Sequence, residues 1–79
     1  MKELILNTIR EVANKQNFNV VLNEQSLSVD FKNLGVDSIN VLGIIVAIED
    51  KVGFKLEDAE LMKIKTINQL IAAFEAKKK

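Results

Sequence analysis

Apolar residues recur at helical spacing in four stretches of this chain, and no proline interrupts any of them. The last stretch is the clearest. Ile67, Leu70, Ile71 and Phe74 follow at i, i+3, i+4 and i+7. Ahead of them Thr66 and Gln69 form a T-x-x-Q capping box, so the spacing predicts a helix that begins at Thr66. The first stretch runs from about Lys2 to Gln16, with Ile5, Ile9, Val12 and Ala13 on one face. The second runs from Ser38 to about Val52, with Val41, Ile44, Ile45, Ile48 and Val52 as its core face. Gly53 suits the left-handed position past its end and lets Phe54 fold back on Ile48. A short third helix is expected from about Asp58 to Lys63, capped by Asp58 and with Glu60 at its positive end. At 79 residues, 48% of them hydrophobic, the expectation is a single all-α domain over residues 1–79. It is a four-helix bundle with three longer helices, one short one and a long first loop.

That loop, Asn17 to Asp37, is the ambiguous segment. Leu27, Val29 and Phe31 alternate with Ser28 and Asp30, which by period alone signals a strand, and Phe18 to Leu22 gives a second such signal. A lone hairpin is marginal in water. Apolar anchors spaced along the segment instead suit an ordered loop pinned over a helical core.

The absent residue types narrow the chemistry. The chain has no cysteine, so it has no disulfide framework and no thiolate metal site. It has no histidine either, which removes histidine ligation and a Ser-His-Asp triad and leaves no metal site to expect. Eleven basic and eleven acidic residues balance, and phosphate neutralisation needs a basic surface, so nucleic acid is not expected as a partner. Four phenylalanines are the only aromatics, too few for a base-stacking platform. The longest uncharged apolar stretch, Ile39 to Ile48, is too short to span a bilayer. Met1 to Arg10 does not read as a signal peptide, so a cytoplasmic location is expected. The lysine run Lys77 to Lys79 reads as a solvated, frayed end; anionic membrane binding would need more basic residues.

Ser38 opens the second helix inside Leu34-Gly35-Val36-Asp37-Ser38-Ile39. Asp and Ser are both preferred N-caps, so either Asp37 or Ser38 is expected to cap the helix. Gly35 suits a sharp turn before it. With no histidine and no evident lysine base, the Ser38 hydroxyl is not a self-sufficient nucleophile. Catalysis by this chain is therefore not expected, while modification of Ser38 by another enzyme stays open.

The stretch Phe31-Lys32-Asn33-Leu34-Gly35-Val36-Asp37-Ser38-Ile39 resembles the Phe-x-x-Leu-Gly-x-Asp-Ser-Leu signature of acyl carrier proteins. Ile39 is a conservative departure from its leucine. Ala47 to Phe54 resembles the end of that family's second helix, and Lys63 to Leu70 resembles the start of its last, so the likeness covers essentially the whole chain. It implies a 4'-phosphopantetheine group attached covalently to Ser38 by a phosphopantetheinyl transferase, with Asp37 beside the attachment point. Acyl cargo would ride on the arm as a thioester. The reactive sulfur would thus be imported with the cofactor.

Ile39, Leu42 and Val46 form a second apolar row on the second helix, continuing to Glu49 and Asp50. A helix apolar on most sides is fully buried or has a second surface to cover. Ile39, Leu42, Gly43, Val46, Glu49 and Asp50 are therefore the candidate face for acyl-loading and acyl-processing enzymes, the face this family uses for docking. The plain alternative is that Leu42 and Val46 pack under the long loop. Asn40 and Gly43 stand where fatty-acid carriers often have acids, and residues 36–54 carry only Asp37, Glu49, Asp50 and Lys51 as charges. Weaker steering toward basic partners follows. A freestanding, monomeric carrier in a dedicated lipid or polyketide-type pathway is the expectation. An aminoacyl, peptidyl or D-alanyl carrier, or an unmodified helical adaptor, are the alternatives.

Overall fold

The computed structural model describes residues 1–77. It places α1 at Lys2–Gln16, α2 at Ser38–Val52, α3 at Asp58–Leu61 and α4 at Ile67–Lys77. Short 3-10 turns at Ser26–Ser28 and Phe31–Leu34 punctuate the first loop. The fold is all-α, as the periodicity predicts. No helix among the described residues is long and apolar enough to cross a membrane.

The helices form where their apolar faces meet. Ile5 and Ile9 of α1, Ile44 and Ile48 of α2, and Ile67, Leu70 and Phe74 of α4 are wholly buried in one cluster. Burying each such side chain contributes about 1.5–3 kcal/mol before chain entropy is counted. Val41 and Val52 lie partly buried against that cluster. Gly53 closes α2 at φ 85°, its N–H donating to the Glu49 carbonyl. The chain then turns so that the Phe54 ring lies against Phe74, with centroids 5.9 Å apart, on the core cluster that also holds Ile48.

The first loop is ordered and has no strand among the described residues. Leu27, Phe31 and Val36 are its buried anchors, while Phe18, Val20 and Leu22 lie partly buried on the core. The Asn23 side chain takes the Ser26 N–H at 2.8 Å. The alternation of Leu27, Val29 and Phe31 reflects anchoring rather than pairing. Among the described residues one isolated bridge, Asp30 to Thr66, joins the loop to the residue before α4.

Two caps repay comparison. At α4, Thr66 and Gln69 exchange the bonds of the expected capping box, both at 3.1 Å. At α3, Glu57 and not Asp58 occupies the N-cap position, and the Glu60 carboxylate accepts the Glu57 N–H at 2.9 Å. The helix ends at Leu61, two residues short of Lys63. Lys77 is not a free end: its Nζ lies 2.8 Å from Glu60 and 3.3 Å from Glu57. The hydrogen bond that Lys77 donates to Glu60 raises the Lys77 pKa and in return lowers that of Glu60. Lys78 and Lys79 lie outside the described residues.

Candidate functional site

Ser38 occupies the first turn of α2, and its side chain is exposed. The turn before it is fixed at three points. The Phe31 N–H donates to the Lys65 carbonyl at 2.9 Å, and the Val36 N–H donates to the Phe31 carbonyl at 3.0 Å. Gly35 takes φ 79° between them, a left-handed turn that a Cβ would strain. Buried Phe31 and Val36 thus hold the loop down on either side of Gly35 and leave the next two residues outward.

Asp37, not Ser38, caps the helix. Its Oδ1 accepts the Asn40 N–H at 2.9 Å, and the Asn40 Oδ1 accepts the Asp37 N–H at 3.4 Å. The Ser38 hydroxyl makes no hydrogen bond to another described residue. It is presented, unengaged, at the positive end of a fifteen-residue helix, a setting that favours a negatively charged substituent.

Beside Ser38 opens a cleft of about 480 Å³, within the size range of small-molecule sites. Val36, Val41, Leu42, Ile45, Leu61 and Ile64 form its apolar lining. The cleft lies between α2, the Phe31–Leu34 turn and the segment joining α3 to α4. Leu61, Ile64 and Phe31 were not visible as site residues in the sequence, because only the tertiary fold brings them to Ser38.

The candidate docking residues divide. Ile39, Leu42 and Val46 are 75%, 55% and 48% exposed, so they do not pack under the first loop. Asp50 is exposed beside them and Glu49 is half-buried. The Glu49 Oε2 accepts the Leu56 N–H at 3.0 Å, which turns that carboxylate toward the chain between α2 and α3. Gly43 lies under the side chain of Gln16, at the end of α1. A Cβ at position 43 would stand 2.5 Å from the Gln16 Nε2.

The family model described as a phosphopantetheine attachment site matches residues 3–74. The chain is similar to an acyl carrier protein homolog of Ureaplasma parvum, 40% identical over 75 residues, which is 95% of this chain and 90% of the relative. It is also similar to an acyl carrier protein homolog of Mycoplasma genitalium, 33% identical with 85% of this chain and 80% of the relative covered. An acyl carrier protein of Myxococcus xanthus is 31% identical, with 89% of each chain covered.

Proposed function

The chain belongs to the acyl carrier protein family, whose members are carriers rather than enzymes and bear a covalent phosphopantetheine, and from that premise we propose that Ser38 is its attachment point. The 79 residues act as one monomeric carrier domain in the cytoplasm. When bound, phosphopantetheine supplies a terminal thiol on which an acyl group rides as a thioester. The observation that carries the reading is the unengaged Ser38 hydroxyl at the mouth of an apolar cleft.

The chain's own residues then have defined tasks. Ser38 offers its oxygen to the phosphopantetheine-bearing phosphorus of coenzyme A. The new phosphorus–oxygen bond forms as the pyrophosphate link breaks and the nucleotide departs with the other phosphate. The hydroxyl proton passes to a base on the transferase, since this chain has no histidine and Asp37 is engaged as a cap. The α2 N-terminus favours the resulting phosphodiester charge. Val41, Leu42, Ile45, Leu61 and Ile64 offer the acyl chain a surface away from water.

Names of the relatives speak of acyl carriers, which supports acyl cargo over aminoacyl cargo. Exposed Ile39, Leu42 and Val46, in a segment with few acids, support partners that dock by apolar contact more than by charge. A dedicated lipid or polyketide-type pathway fits that surface better than bulk fatty-acid synthesis.

The test is incubation of the protein with coenzyme A and a broad-specificity phosphopantetheinyl transferase, followed by intact mass. One added phosphopantetheine on the parent and none on Ser38→Ala is the expected result. A folded parent that gains nothing, also with a transferase of its own organism, overturns the proposal.

A further inference from the structure

Three departures from an ordinary helix start meet at one place. Gln16, the last residue of α1, reaches across α2, and its Oε1 accepts the Asn40 Nδ2 at 2.8 Å. The same Asn40 completes the reciprocal cap with Asp37, taking the Asp37 N–H on Oδ1. Gly43, one turn further on, leaves the room in which the Gln16 amide lies. An amide at position 40 serves both neighbours at once, donating to Gln16 and accepting from Asp37. A carboxylate there would lack the donor and would stand beside the Asp37 carboxylate.

We propose that Gln16 is a positioning residue for the modification of Ser38: it holds the Asn40 amide so that the Asp37 cap, and with it the Ser38 turn, keeps a single arrangement. Gly43 is the space this contact requires. The inference rests on Ser38 being the attachment point. It joins the end of α1 to the attachment turn over a sequence separation that no local motif spans.

The geometry gives Gly43→Ala two effects of opposite sign. Alanine is the better helix former, so α2 becomes more stable. The new methyl displaces the Gln16 amide, which sits at the far end of a flexible side chain and moves cheaply. A purely structural glycine would change stability and loading in the same direction.

The experiment compares the parent with Gln16→Ala, Gly43→Ala and the double variant. It measures thermal midpoint, hydrogen exchange at the Asn40 amide and steady-state loading from coenzyme A by one transferase. Gln16→Ala should lower kcat/KM for loading about threefold, the scale of one modest hydrogen bond, and speed exchange at Asn40. Gly43→Ala should raise the thermal midpoint yet slow loading by a similar factor, and should slow it no further when Gln16 is already alanine. Loading of Gln16→Ala at the parent rate overturns this inference while leaving the attachment reading intact. A parent that never loads overturns both.

Discussion

Replacing each of two adjacent residues by alanine separates capping from attachment. In Asp37→Ala the bond from the Asn40 N–H to the Asp37 Oδ1 is lost, at 2.9 Å the shorter half of the reciprocal cap. Losing an aspartate N-cap costs about 1 kcal/mol, and in a domain of this size that lowers the melting temperature by about 4–8 °C. In Ser38→Ala an exposed hydroxyl that bonds no other described residue disappears, and alanine favours the helix slightly. The change in stability should stay within about 0.5 kcal/mol, or about 4 °C at most. The two variants should behave oppositely toward a phosphopantetheinyl transferase. Ser38→Ala gains no mass at any enzyme concentration, whereas Asp37→Ala gains it slowly. Thermal melts followed by circular dichroism, with intact mass on the same samples, read both quantities. A fall in Ser38→Ala as large as that in Asp37→Ala would show the hydroxyl to be the cap and refute the reasoning.

Three further outcomes are expected. Gly53→Ala, which forces a Cβ into φ 85°, should lower stability by about 1 kcal/mol or more in urea unfolding, and an unchanged midpoint would contradict the left-handed close of α2. Phe74→Ala, at a fully buried position, should cost about 3–5 kcal/mol while Ile39→Ala costs under about 0.5 kcal/mol; similar losses in urea unfolding would mean that the inner and outer faces are misassigned. Hydrogen bonding from Lys77 holds the Glu60 carboxyl below its ordinary value of 4.5. Its contribution is therefore full above that value and is lost as pH falls through the lower folded value. Carboxyl titration by NMR should move upward in Lys77→Met, and an identical curve in parent and variant would exclude the pairing.

The long helices were legible because each carries a full apolar face. Lys2–Gln16 and Ser38–Val52 stand where the periodicity and Gly53 put them. The cap of α3 was not legible, because Glu57 and Asp58 are both plausible there and the choice depends on Glu60 reaching back to Glu57. At the site, the Asp-Ser pair was visible as a helix start, but which of the two caps is decided by side-chain geometry. The cleft wall from Leu61 and Ile64 was hidden, since those residues are brought to Ser38 only by folding. Gln16 left a single trace in the sequence: a glycine at position 43, inside a helix, with no local reason to be there.

The α3 segment differs in kind from the rest of the cleft wall. It is one turn long and buries none of its four residues, and surface ion pairs from Lys77 hold it to α4. Each such pair contributes little. Parting α1 from α2 would instead expose Ile5, Ile9, Ile44 and Ile48 together. Of the three walls of the cleft, α2 and the Phe31–Leu34 turn are thus pinned by buried side chains, while Leu61 and Ile64 of the third lie only partly buried on the core. If the cleft receives the acyl chain, as proposed above, this is the wall expected to yield first to a bulky cargo.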